Sequence, residues 1–438
     1  MFSINNWQQG KRWTNWANNI VSYPSTYHAP ASIEAIQQII KNMKKQQTLR
    51  VTGAAHSFSP VAMPEETALT LHNLRGLLSV DTKNLTATFY AGTYLYEIGP
   101  LLAEHRLALI NMGDIQAQTL AGVIATGTHG TGVTLGSFSS MVTKWGFING
   151  LGEYIEHERG TDDLSEALHV SIGLLGILVT VTIQVMPLYS LHYVSEKTNL
   201  EDALKNFQQT IRTHRHVEWF YFPGSDLIQV KKMDKVAPVE QNKWQRHLNE
   251  MNLQLVENGL FYVISELCKW QPRASSSVSK LSSKLVSEGV RTDLSYRMFP
   301  SPRSVKFTET EYAIPLQHFE ACMEEIHAVL KKGKFTVHFP IECRTTKGEQ
   351  GMLSPTQGEE SAFLAFHMYK GMNETPYFDW VQVLMRKYNG RPHWGKVNDY
   401  DATNIRDYYP KFAAFNELRN EHDPNNIFVT SYFRRIFN

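Results

Sequence analysis

The sequence predicts an α+β protein of two domains, and three observations carry that expectation. The chain has 438 residues, more than one simple core accommodates. Up to about Pro187, short runs with a period of two alternate with runs at helical spacing. From Val217 onward, strand-like and helix-like runs alternate in a way that suits an antiparallel sheet with helices on one face.

The elements follow in chain order. Ile33, Ile36, Ile39 and Ile40 lie at helical spacing behind Ser32, an N-cap residue preceded by Pro30. Thr48 to Thr52 reads as a strand that runs into a loop at Gly53. Leu85 to Tyr90 is a second strand, broken by Gly92 and Thr93, and Leu95 to His105 is helical. The stretch Leu168–Leu188 is apolar and nearly long enough to cross a bilayer. It contains His169, Gly173, Gly176, Gln184 and Pro187, however, and Leu178 to Val185 alternates with Thr and Gln. It therefore reads as a buried helix, turn and strand. Val217 to Phe222 is a strand ended by Pro223-Gly224. Ala274 to Ser287, rich in Ser and Lys, is a solvated helix or a long connection. Glu311 to Pro315 is a short strand, followed by a helix from about Leu316 to Leu330 and a strand from Lys334. No internal repeat is evident.

Composition excludes several classes. Hydrophobic residues make up 42% and charged residues 19%, so the chain is globular and not disordered. A net charge of +1 without a basic field argues against nucleic acid. Cys268, Cys322 and Cys343 are odd in number and far apart, which argues against a disulfide framework or a cysteine-rich metal site. A reducing compartment fits, and Met1 to Trp7 lacks the regions of a signal peptide. The expectation is a cytoplasmic protein without a membrane span.

Two glycine-rich segments carry most of the functional information. Gly53-Ala54-Ala55-His56-Ser57-Phe58 and Gly122-Val123-Ile124-Ala125-Thr126-Gly127-Thr128-His129-Gly130-Thr131-Gly132 place small residues at the ends of apolar runs. Backbone N–H groups uncovered there can cradle a diphosphate. The glycine spacing in the second is GxxGxG and not the Rossmann GxGxxG, and no Gly-Lys-Ser/Thr of a P-loop occurs. A zinc site from His56 and His129 lacks the spacing and the acidic partners. A hydrolase built on His56-Ser57 lacks a nucleophile elbow.

Further on, Phe335 to Arg344 alternates. Phe335, Val337, Phe339, Ile341 and Cys343 share one face, and His338, Glu342 and Arg344 share the other. A solvent-exposed sheet face would show the same pattern. In Phe363 to Tyr369, His367 and Tyr369 again share a face among apolar residues, and two adjacent polar faces suit the floor of a pocket for a hydroxylated ligand. Arg391-Pro392-His393-Trp394-Gly395-Lys396 is a turn, with Lys396 either exposed or pointing inward.

Taken together, these segments resemble the vanillyl-alcohol-oxidase family with its PCMH-type FAD-binding domain, in the aldonolactone and alditol oxidase branch. The resemblance runs from the helix after Pro30 to Ile427–Phe433. It implies an FAD-binding domain at 1–188, a substrate or cap domain at 189–389 with an antiparallel sheet and helices, and a segment at 390–438 returning to the first domain. It implies FAD as cofactor, bonded covalently through His56. Gly113, Asp114, Thr119, Gly122, Thr126, Gly127, Thr128, His129 and Gly130 match the second flavin-binding segment, Gly173 and Gly176 the third, and His393 joins the cofactor set. Glu342, Arg344, His367 and Lys396 fall on the motif that binds substrate hydroxyls over the flavin. No metal is implied.

The activity implied is two-electron oxidation of a CH–OH group, with hydride passing to flavin N5 and O2 reduced to H2O2. Lys396 and Arg344 would sit where alkoxide character develops, Glu342 would orient Arg344, and His367 would relay a proton. Gly113 matches the small residue that lets oxygen reach the flavin. Asp114 and Tyr369 depart from the smaller hydroxyl side chains of alditol oxidases, and Asn111 to Ile115 looks closer to the aldonolactone branch. L-gulono- or D-arabinono-1,4-lactone is therefore the expected substrate. The alternatives are a xylitol or sorbitol oxidase, a lactone dehydrogenase using another acceptor, or a flavin-binding protein that has lost its chemistry.

Overall fold

The computed structural model describes residues 12–44, 46–239, 259–286, 288–301 and 305–437. In the N-terminal half, Ser32 caps the helix Ile33–Lys41 by accepting from the Ala35 N–H at 3.1 Å, and Ile36 and Ile40 are buried. That helix lies beside a three-stranded parallel sheet whose central strand, Thr67–Leu69, pairs with Thr26–His28 and Leu49–Val51. A five-stranded antiparallel sheet follows, in the order Tyr154–Glu158, Val142–Ile148, Ile177–Gln184, Thr86–Tyr90, Leu77–Asp81. The apolar stretch at 168–188 folds as expected: the end of helix Asp163–His169, a turn, and the strand Ile177–Gln184, in which every second residue is buried. Among the described residues no helix is long and apolar enough to cross a membrane.

The second half is built on an eight-stranded antiparallel sheet. Its order is Gly289–Leu294, Ser190–Asn199, Leu227–Val236, His216–Tyr221, Ile341–Thr346, Ser361–Tyr369, Phe307–Pro315, Arg391–Pro392. On one face, Trp219, Tyr221, Ile341, Leu364 and Ile314 pack in one apolar core with Phe207, Ile211, Phe319, Met323, Ile326 and Leu384 of three helices. The opposite face carries the charged residues discussed below. A separate core lies in the N-terminal half, and Tyr409, Phe412, Phe415, Phe428, Phe433 and Ile436 from the end of the chain pack into it. Cys268, Cys322 and Cys343 are free and buried.

The structure corrects three expectations. The strand expected from Lys334 begins only at Ile341. Its neighbour pairs Tyr221 with Ile341 and ends there, before Pro223-Gly224, and Pro340 has no N–H to give a ladder. His338 thus leaves the Glu342 face and meets Ser265 Oγ at 3.0 Å, and burial lowers its imidazole to about 4. The strand expected at Glu311 starts earlier, at Phe307. The serine-rich segment is a helix, Ser275–Leu285, but Ser275, Ser279 and Ser283 are buried: small polar side chains form its packed face, and Ser283 meets Ser225 at 2.8 Å.

Candidate functional site

Loops at the strand ends of the N-terminal half line a cavity with about 1070 Å³ of empty space, part of it open to solvent. Of the residues the sequence assigns to a cofactor, Gly53, Ala54, Ala55, His56, Ser57, Thr119, Gly122, Thr126, Gly173 and Gly176 line it. Glycine is required at two of these points. A Cβ on Gly53 would overlap Thr119 Oγ1, and one on Gly176, whose φ is +152°, would overlap the Ile148 carbonyl oxygen. The third loop is under backbone strain, with Ile172 at φ +46° and Gly173 at +67°. Arg50, which the sequence reading passed over, holds that loop. Its guanidinium donates to the carbonyls of Ile172, Gly173 (3.2 Å) and Val61 (2.7 Å), and it lines the cavity. Burial lowers its pKa to about 9, which leaves it a cation at neutral pH. Among the described lining residues there is no Asp or Glu. A cavity lined by hydroxyls, small residues and one buried cation, and without a carboxylate among its described lining residues, fits a dinucleotide diphosphate.

His56 lines the cavity and stacks on Trp16 with ring centroids 5.2 Å apart. Burial, with Lys396 adding to it and Asp114 opposing, lowers its imidazole to about 4. The ring is therefore neutral at physiological pH, the form in which an imidazole is a nucleophile.

The other sequence-assigned cofactor residues are not among those lining this cavity. Gly127 is the left-handed C-cap of helix Leu120–Thr126, and Thr128 bonds back to it through its N–H and the Val123 carbonyl. Gly113 and Gly130 let two backbones meet: a Cβ on Gly113 would lie 2.9 Å from the His129 carbonyl oxygen, and one on Gly130 2.6 Å from that of Met112. Phe58, Asp114, His129 and His393 lie instead at a second cluster, on the charged face of the eight-stranded sheet.

The register assembles that cluster. Glu309 lies opposite His367, and Glu311 opposite Ala365. Ala365 lies opposite Glu342, and Phe363 opposite Arg344. Arg344 in turn lies opposite Glu218. Alternation puts Glu309, Glu311, Glu342, Arg344, Glu218 and His367 on one face. Arg344 contacts Glu342, Asp114 Oδ1 at 3.1 Å and Glu218 Oε1 at 3.2 Å. Burial disfavours its charge, but the three carboxylates outweigh this and raise its pKa. His129 stacks on Phe363 at 3.6 Å and points Nε2 at Glu311, 3.5 Å away.

Lys396 reaches the same face from its turn. The turn is bolted on both sides: the Phe58 N–H donates to the Gly395 carbonyl at 2.7 Å, and Ser59 Oγ to that of Trp394 at 2.6 Å. On the sheet side, the N–H groups of His393 and Val397 donate to the carbonyls of Glu311 and Glu309. Trp394 is fully buried and its Nε1 donates to Leu353. Lys396 therefore points inward, with Nζ 2.6 Å from Glu309 and 3.7 Å from Glu311 and 5.4 Å from the centre of the Phe58 ring. Burial would lower its pKa, but Glu309 and Glu311 raise it above the ordinary lysine value.

Glu309, Glu311 and Glu218 were missed in the sequence. Their signal is an acid inside an apolar, β-branched or aromatic strand run, as in Phe307-Thr308-Glu309-Thr310-Glu311-Tyr312, where a solvated strand has no need of such neighbours. His129 does gain an acidic partner, Glu311, and with His393 these groups bring ligand atoms within 4.8 Å of one another. Lys396 supplies the cation of that cluster. His393 Nδ1 accepts from the Gly395 N–H at 3.0 Å, so the proton of the neutral ring sits on Nε2.

Residues 181–436 match the family model described as D-arabinono-1,4-lactone oxidase. The chain belongs to this family. Residues 24–158 match an FAD-binding domain. The chain is 31% identical to an L-gulono-1,4-lactone dehydrogenase of Mycobacterium tuberculosis over 97% of this chain and 98% of that one. It is 26% identical to L-gulonolactone oxidase of Mus musculus, with 98% and 99% covered. A cholesterol oxidase from B. sterolicum shares the fold, with a TM-score of 0.81 at 16% identity over 98% of this chain and 96% of that one. The protein is an FAD-dependent oxidoreductase of the vanillyl-alcohol-oxidase fold, in a family that oxidises sugar lactones.

Proposed function

We propose that the protein oxidises a CH–OH group of an aldono-1,4-lactone, L-gulono- or D-arabinono-1,4-lactone, and that O2 is its electron acceptor. The observation that carries the substrate class is the charge of the sheet face. Asp114, Glu218, Glu309, Glu311 and Glu342 crowd around Lys396 and Arg344, five carboxylates against two fixed cations. Such a floor disfavours an anionic aldonate and offers acceptors to the hydroxyls of a neutral ring. Relatives spanning the whole chain carry lactone names, which supports a lactone over xylitol or sorbitol.

FAD, held between the 53–57, 119–126 and 171–176 segments, supplies the two-electron oxidation at the carbinol carbon. Lys396 and Arg344 present positive charge where the substrate oxygen becomes alkoxide-like. Glu342 holds the Arg344 fork and accepts a substrate hydroxyl, and His367 relays the proton. His56, neutral and facing the cavity, is the site of covalent attachment. A yellow pellet after acid precipitation of the wild type, and a colourless one for His56→Ala, would be the expected result. We further divide the chain at 1–188, 189–389 and 390–438, a division supported by the two separate cores and the packing of the C-terminal segment into the first.

The acceptor rests on Gly113, read as the small residue beside the oxygen path. One relative is named a dehydrogenase, so the alternative is specific. The test is anaerobic: the protein is mixed with L-gulono-1,4-lactone and with xylitol in separate cuvettes, and air is then admitted. Bleaching by the lactone alone, with rapid recovery of colour and H2O2 in air, is expected. Bleaching by xylitol alone overturns the substrate reading, and bleached protein that stays bleached in air overturns the oxidase reading.

A further inference from the structure

We propose that Glu309 and Glu311 are positioning residues for Lys396, a carboxylate pair that keeps the lysine charged and aimed so that it acts as a fixed ammonium and not as the base. This rests on the reading of Lys396 as a substrate-side group. It adds to that reading the parts that hold the lysine in its state.

Four observations carry it. The two acids stand at i and i+2 on one strand, so their side chains leave the same face side by side. Lys396 bridges them, at 2.6 Å and 3.7 Å. Both acids are buried, where an ion pair is weakly screened and an ammonium without partners would be costly. Each acid also has an imidazole nitrogen of another element facing it. His367 Nε2 lies 3.6 Å from Glu309, and His129 Nε2 lies 3.5 Å from Glu311.

The rings are themselves pinned. His129 Nδ1 lies 2.8 Å from the Gly130 carbonyl and His367 Nδ1 3.3 Å from that of Pro340. A carbonyl only accepts, so each Nδ1 carries a hydrogen, and each Nε2 donates to its carboxylate only when the ring carries a second proton. The row runs His367, Glu309, Lys396, Glu311, His129, drawn from two neighbouring strands, the Gly395 turn and the glycine-rich loop. His393 and Arg344 also act on Glu311, and Asp114 also acts on Lys396. The row can hold the ammonium in one place because Glu309, Glu311 and His367 stand on paired strands and the Lys396 turn is bonded on both sides.

The distances rank the two acids. Glu309, in hydrogen-bond contact, dominates the aim and charge of Lys396, and Glu311 is the weaker second partner.

The test needs no substrate. Holoenzyme is labelled with trace acetic anhydride across a pH series, and acetylation of Lys396 and of exposed lysines in the same sample is followed by mass spectrometry. In the wild type the Lys396 midpoint is expected above those of the exposed lysines. Glu309→Gln is expected to lower it by about one pH unit or more, Glu311→Gln by less, and Glu309→Asp to keep it high. A wild-type midpoint at or below the exposed lysines overturns the proposal, and this reading stands even if a variant fails to fold. Folded Gln variants with an unmoved midpoint overturn it as well. A wrong substrate would leave the lactone unable to bleach the flavin while Lys396 still titrated high, so the two failures are distinguishable.

Discussion

The cavity in the N-terminal half and the charged face of the eight-stranded sheet solve opposite problems. The cavity has no acidic side chain among its described lining residues and is shaped by backbone, small residues and hydroxyls around Arg50. The sheet face has carboxylates in excess and is shaped by long side chains in register. A dinucleotide carries its own negative charge and needs close backbone approach. A neutral polyol ring needs acceptors and a developing alkoxide needs cations. Holding the cofactor and turning over the substrate are thus assigned to separate residue sets, joined where Phe58 and Ser59 bond the Lys396 turn.

Four substitutions probe that separation, taken from the largest expected effect. Lys396→Met should lower the rate of flavin reduction by about 10²–10³ or more, with FAD retained, because Lys396 is not among the cavity-lining residues. Rapid mixing with the lactone measures it. Arg344→Lys keeps one charge but loses the fork that meets Asp114, Glu218 and Glu342. A rise in KM of about tenfold or more is expected in steady-state kinetics, since a buried pair is broken. Gly176→Ala should act on the other region. Its Cβ meets the Ile148 carbonyl, at a cost of about 1–3 kcal/mol, seen as a lower Tm and lower FAD content. Gly113→Ala is a less clean probe of oxygen access, because its Cβ also presses on the His129 backbone.

A fifth substitution concerns the seam between the two halves. Glu349 is buried and accepts from Ser137 N and Oγ at 2.7 Å and from Ser354 Oγ at 2.9 Å, beside His169 at 3.1 Å. Burial raises its pKa, but His169 and the Ser137 bonds outweigh this and hold it far below the usual carboxylate range. A depressed native pKa stabilises the fold above the unfolded value, near 4.3, and that contribution is lost as pH falls toward the native value. Glu349→Gln should cost about 1–3 kcal/mol at neutral pH. Its Tm should also vary less between about pH 5 and pH 3 than that of the wild type, as scanning calorimetry would register.

The two regions were unequally legible in the sequence. The Gly53 segment announces itself locally, as small residues at the end of an apolar strand run, whereas Thr119 and Gly176 were reached through the resemblance. The substrate face is assembled by register between strands far apart in the chain, so Glu309 opposite His367 cannot be seen from either segment alone. Alternation placed Glu342, Arg344 and His367 on polar strand faces and the resemblance gave them and Lys396 a role, while Glu218, Glu309 and Glu311 were passed over. Arg50 was missed for a similar reason, since the carbonyls it binds at 172–173 and 61 belong to other elements. The strand at 335–340 failed because alternation records which faces are apolar but not whether a partner strand extends far enough to pair.

The most direct measurement reads both regions in one cuvette: FAD content per chain and anaerobic reduction per bound flavin, for Lys396→Met and Gly176→Ala. Full FAD content without reduction is expected in the first. In the second, reduced FAD content is expected, with each bound flavin reduced at the wild-type rate. A parallel fall of both quantities in both variants would contradict the separation of cofactor holding from substrate oxidation.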